Sequence, residues 1–173
     1  MSTKILVATD GGAPATRAVE VAVDLARRLG GQLGLVHVVD ESRAFVPDLA
    51  ALDEVIMAEL RRKGLAALDR AYASVRSTVK VERFLVDGDP AEAIIAIARR
   101  WGADLIVIGS DSRGRLAHFL LGSTADAVIR KAPCPVVSVR AVPARVDPNA
   151  QTADTAMPRQ VASNAGADGR SRS

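Results

Sequence analysis

The triplet Gly122-Ser123-Thr124 is the strongest chemical signal in this sequence. The residues that follow it, Ala125, Val128 and Ile129, recur with helical spacing, so the triplet stands where a helix begins. The first amides of a helix lack intrahelical acceptors and lie at the positive end of its dipole. Both properties favour a phosphate or another anion, and the hydroxyls of Ser123 and Thr124 would add donors. The competing reading is structural: Ser123 or Thr124 acts only as an N-cap. Gly109 ends the apolar run Leu105-Ile106-Val107-Ile108, and the stretch from Ser110 to Leu121 joins that run to the triplet. Asp10, after the first apolar run, is a second candidate. Its carboxylate could accept from a ribose hydroxyl or a base amino group, or it could simply hold a turn or cap a helix. Val38, an apolar strand end followed by Asp40, could flank a base.

These residues need elements to hold them, and the chain supplies alternating strands and helices. Lys4 to Thr9 reads as a first strand, ending at Asp10-Gly11-Gly12, and Pro14 suits the first turn of a helix running to Leu29. Leu33 to Val39 is the second strand. Glu41 to Leu52 is a connection broken by Pro47. Asp53 to about Ser74 predicts a long helix, with Ile56, Leu60, Leu65 and Leu68 inward and Gly64 as a weak point. Val79 to Val86 is a third strand, with Val79, Val81 and Phe84 as its alternating apolar side. Asp89-Pro90 opens a helix that Trp101-Gly102 closes, with Ile94, Ile95, Ile97 and Ala98 between. Leu105 to Ile108 is the fourth strand, Ala125 to Lys131 the fourth helix and Pro135 to Arg140 the fifth strand.

This alternation predicts an α/β fold: an open, doubly wound five-stranded parallel sheet in the order 3-2-1-4-5 with helices on both faces. Composition agrees. Apolar residues make up 49% of the chain but aromatics only 3%, so the core must be aliphatic, as in a parallel sheet covered by helices. In such sheets ligands bind beyond the carboxyl ends of the strands where strand order reverses. Here that crevice lies between Asp10 and Gly109.

Several classes of function are set aside. The net charge of +3 is small, and Lys and Arg are dispersed among acids, so no nucleic-acid partner is expected. No apolar run reaches membrane-spanning length and no signal peptide is read at the N-terminus, so the expected location is cytoplasmic. The single cysteine, Cys134, excludes an internal disulfide and reads as a small packed residue. His37 and His118 are far apart, and no metal site is expected. A Walker loop is absent. No nucleophile–base pair or acid pair points to catalysis, beyond incidental slow hydrolysis of whatever ligand the crevice holds. Pro143 to Ser173 has no aromatic and no periodicity. It reads as a disordered tail, which divides the chain into a domain at 1–142 and a tail at 143–173.

At this point the sequence resembles the universal stress protein family over Lys4 to Arg140. Its nucleotide-binding members carry Gly, two residues, Gly, nine residues, then Gly-Ser or Gly-Thr. Gly109 matches the first glycine, and Gly122-Ser123 the final pair, preceded by the typical Leu120-Leu121. Ile5-Leu6-Val7-Ala8-Thr9-Asp10-Gly11 and Ala132-Pro133-Cys134-Pro135-Val136 match the family's first strand and the approach to its last. The second motif glycine is replaced by Ser112; Gly114, two residues on, does not restore the spacing.

The resemblance implies a stress-response regulator that binds ATP, with or without Mg²⁺. The implied contacts are Ala8, Thr9, Asp10, Val38, Ile108 and Gly109, then Ser112, then Gly122, Ser123 and Thr124. It also implies a homodimer through the edge strand Pro135 to Arg140, as the open edge does, and a regulatory protein partner. The alternatives are a member of the family that works by protein contacts without nucleotide, or a small nucleotide-hydrolysing enzyme on the same fold.

Overall fold

The computed structural model describes residues 2–43, 50–110 and 122–141. All of them belong to one unit, Met1–Ala141. The segment around Ser112, Arg113, Arg115 and His118, the connection at Pro47 and the tail from Pro143 lie outside the described residues.

The chain runs β1 (Lys4–Ala8), α1 (Ala13–Arg28), β2 (Gln32–Val39), a 3₁₀ turn at Glu41–Arg43, α2 (Ala50–Val75), β3 (Lys80–Asp87), α3 (Pro90–Trp101), β4 (Leu105–Ser110), α4 (Ser123–Lys131) and β5 (Val136–Arg140). The five strands form one parallel sheet in the order β3-β2-β1-β4-β5, as the sequence predicts. Successive strand residues point to opposite faces, so each strand feeds two cores. Ile5, Val7, Leu33, Leu35 and Val107 pack under α1 and α2. Leu6, Val36, Ile106 and Ile108 pack under α3 and α4. Because both faces are covered, the central strands read as unbroken aliphatic runs.

Four expectations are corrected. Phe84 lies on the face opposite Val79 and Val81: it joins the α3/α4 core, where its ring meets Trp101 edge-on at 5.9 Å. Parity requires this, since residue 84 is an odd number of positions from 79 and 81. Leu65 is half exposed, because the buried stripe of α2 is carried by smaller residues, Gly64, Ala67 and Ala71, beside Leu68 and Val75. Ile129 is likewise on the open side of α4. Gly64 marks a close approach rather than a weak point: a Cβ there would fall 2.5 Å from the imidazole of His37. Cys134 is half-buried against the α3/α4 core, and burial pushes its thiol above its ordinary range. No described helix is long and apolar enough to cross a membrane.

Candidate functional site

β1 lies between β2 and β4, with Val7 paired to Leu35 on one side and Val107 on the other. The chain leaves β1 toward β2 and β3, then returns to the far side of β1 as β4. Strand order therefore reverses at the β1/β4 seam, and the carboxyl ends of these strands diverge there. A cleft of about 550 Å³ opens at that end. Ala8, Thr9 and Asp10 line it from the end of β1, Val38 from β2, Ile108 and Gly109 from β4, and Gly122, Ser123 and Thr124 from the start of α4. These are all the residues singled out from sequence except Ser112, which lies outside the described residues.

Local chemistry fixes the walls. Asp10 Oδ1 accepts from the Gly12 amide at 2.8 Å, so one oxygen holds the turn into α1. Its second oxygen has no partner among the described residues and is exposed. The turn reading and the ligand reading of Asp10 are thus compatible. Thr9 is buried; its amide donates to Val36 O, and its carbonyl meets Nδ1 of His37 at 2.7 Å. A carbonyl only accepts, so Nδ1 of His37 carries a proton and donates. At Gly109 a Cβ would stand 2.5 Å from the Pro14 carbonyl carbon and 2.7 Å from the Ala15 nitrogen. Glycine is needed there so that the start of α1 can lie on the end of β4.

The start of α4 is different from a capped helix. Gly122 is the N-cap, extended at φ −60° and ψ 156°, and among the described residues no side chain bonds the free amides. The first helical bond runs from Asp126 N to Gly122 O at 3.0 Å, so the amides of Ser123, Thr124 and Ala125 precede the helical ladder. Neither Ser123 nor Thr124 acts as N-cap, which overturns the structural alternative for them. A Cβ on Gly122 would meet nothing within 4 Å among the described residues. Neither the backbone nor the packing of the described residues requires glycine at this position.

Further residues line the cleft that sequence reasoning did not select, among them His37, Leu60, Lys63 and Ile94. Lys63 Nζ lies 3.5 Å from Glu59. His37 had a signal: strand alternation puts it on the α2 side, and a mid-helix glycine often marks a close approach. Leu60 and Lys63 had none beyond helical period. Among the described residues, no group of three or more His, Cys, Asp or Glu is placed to hold a metal ion.

Fold and cleft together define a doubly wound α/β protein with a ligand-sized site at the topological switch point. The chain matches the universal stress protein family over residues 1–140 and belongs to it. A universal stress protein of Thermus aquaticus is 37% identical over 139 residues, covering 79% of this chain and 97% of its own. The universal stress protein UspA of Lactobacillus plantarum superposes with a TM-score of 0.71 at 28% identity, covering 80% of this chain and 97% of its own. Two structures at lower identity share the fold. One is a universal stress protein in complex with cAMP (23%, TM-score 0.61, covering 81% and 98%). The other is an Arabidopsis thaliana family member with AMP bound (22%, TM-score 0.58, covering 80% and 91%).

Proposed function

We propose that this universal stress protein binds an adenine nucleotide, ATP with or without Mg²⁺, and acts as a nucleotide-responsive regulator in the cytoplasm. Val38 flanks the base and Asp10 accepts from the ribose or the base. The phosphates lie at Gly109 and at the open amides of α4, with Ser123 and Thr124 donating. One observation carries the reading: Asp10, Val38, Gly109, Gly122, Ser123 and Thr124, selected by chemistry and spacing, converge on a single cleft with Ala8, Thr9 and Ile108, which the family resemblance implies. A volume of about 550 Å³ is also in the range of small-molecule sites, roughly 300–1,000 Å³. The cAMP and AMP complexes of two proteins with this fold support the ligand class.

The test is mass spectrometry of natively purified protein for co-purifying nucleotide, followed by calorimetry with ATP, AMP and cAMP. Saturable binding without turnover is expected. Absence of heat at millimolar nucleotide overturns the reading in favour of a member that works by protein contacts. Turnover well above background, lost in Asp10→Ala, overturns it in favour of an enzyme.

The same reading puts the domain boundary near residue 142 and pairs two copies through β5. Among the described residues that strand is bonded on one side only, to β4. Its free edge needs cover, and self-pairing gives a symmetric dimer. A mass independent of concentration and equal to one chain in sedimentation would rule the dimer out.

A further inference from the structure

A second cavity, of about 480 Å³, lies between α1 and α2 on the opposite face of the sheet from α3 and α4. Gly11, Thr16, Glu20, Arg70 and Ser74 on its lining are exposed, so it is an open groove with an apolar floor rather than an interior void. Its cause is the residue types. Val19 and Val23 of α1 face Ala67, Ala71 and Val75 of α2, and these short side chains do not span the gap. The bulkier Leu65 points outward instead. Ala67 to Val75 spans about 12 Å at 1.5 Å per residue.

One end of this apolar groove is cationic. Arg70 lines it and reaches the turn after β1, where its Nη2 would stand 3.0 Å from a Cβ on Gly11. Gly11 sits at φ +81°, a conformation that favours glycine, so the turn leaves this space free. Arg70 has no hydrogen-bond or ion-pair partner among the described residues. Its neighbours differ: Arg61 is held by Asp87, Arg62 by Glu59 and Arg83 by Asp69. The acid on the groove, Glu20, is engaged by Arg17 at 2.6 Å. An apolar trough ending at an unpaired guanidinium complements a carboxylate with an apolar body.

We propose that the α1/α2 groove is a second ligand site, separate from the nucleotide cleft, that takes a medium-chain aliphatic carboxylate. The carboxylate pairs with Arg70, and the chain lies along Val19, Ala67, Ala71 and Val75. Thr9 lines both cavities, so the sites are neighbours across the end of β1, but the inference does not depend on what the larger cleft binds.

Decanoate is the probe, titrated below its micellar concentration by calorimetry, with decan-1-ol as the uncharged comparison. Wild type should bind decanoate saturably at one site. Arg70→Met should weaken decanoate by about tenfold or more, the scale of losing one charge-assisted pair, while decan-1-ol binding is unchanged. Ala71→Phe, which fills the groove, should abolish both. Ser74→Trp, at the exposed rim, replaces Ala71→Phe if that variant does not fold. Gly122→Val, at the other cleft, should leave decanoate binding intact. No saturable binding at millimolar decanoate overturns the proposal. So does binding that survives a folded groove-filling variant, or that is lost in Gly122→Val.

Discussion

Helices α3 and α4 cover the same face of the sheet, and both begin at its carboxyl end, yet their first turns are built differently. At α3 only Gly88 and Asp89 separate strand from helix. Asp89 closes the turn itself: its carboxylate accepts from the amides of Ala91 at 3.0 Å and Glu92 at 2.9 Å, and Pro90 occupies the first turn without needing an acceptor. At α4 the connection is the long stretch 111–122 and the cap is glycine. The amides that a carboxylate covers at α3 have no side-chain acceptor among the described residues at α4, and the residues that carry them line the cleft. A helix start capped by its own sequence contributes stability and has no room for a foreign anion. A start left bare forgoes that bond and can accept one from a ligand.

Exchanging the two designs gives the largest expected effect. Gly122→Asp gives α4 the cap that α3 has. The backbone at Gly122 is already extended, and a Cβ there meets nothing among the described residues, so the variant should fold with unchanged or slightly higher melting temperature. Nucleotide affinity should drop by about 100-fold or more (~2.7 kcal/mol), since a carboxylate then occupies the amides and repels phosphate. A titration showing wild-type affinity would mean the phosphates do not lie at α4. Ser123→Ala is the milder change on the same side. It removes one donor to a charged group and should cost ~1.5–3 kcal/mol of binding, with no change in melting temperature.

The converse change acts on α3. Asp89→Ala deletes the side-chain cap and should destabilise the fold by ~1 kcal/mol, within the usual 0.5–2 kcal/mol for such caps. Thermal unfolding should show this as a drop of several degrees, while nucleotide affinity stays within about threefold. If binding falls far more than stability, the α3 cap also serves the cleft, and the contrast between the two helix starts fails.

The α3 turn was legible because Asp-Pro before an aliphatic repeat and Gly after it are local signals, and the structure obeys both. The strands were legible for a related reason, since buried parallel strands appear as uninterrupted Val, Ile and Leu runs, and their regular alternation with helices pointed to the doubly wound order. The residues that went unread are those whose role depends on a partner distant in sequence. Leu60 and Lys63 reach the cleft only because α2 crosses the end of β2. Leu65 was taken as inward by size, but the face of α2 that packs is carried by Gly64, Ala67 and Ala71, which leave room for His37 and for the groove beside α1. At Gly109 the motif and the packing ask for the same residue, so its identity alone does not separate the two roles. Gly122 is more informative, because no described neighbour and no φ constraint asks for glycine there.

The smallest expected effect concerns Ser112, the one position where the family's spacing asks for glycine and this chain has another residue. It belongs to the stretch that makes the α4 start unlike the α3 start, since a two-residue link has no backbone to spare for a ligand. Glycine at such a position lets the main chain approach a phosphate closely. Serine is the next most compact polar choice, and its hydroxyl can donate to the same oxygen atoms. Ser112→Gly should therefore bind ATP as tightly as wild type or slightly tighter, with melting temperature nearly unchanged. Calorimetry on the two proteins side by side decides it. A wild type that ignores millimolar ATP beside a Ser112→Gly variant that binds it would make the serine a block. The open helix start of α4 would then be a nucleotide site that this chain has closed from its own loop.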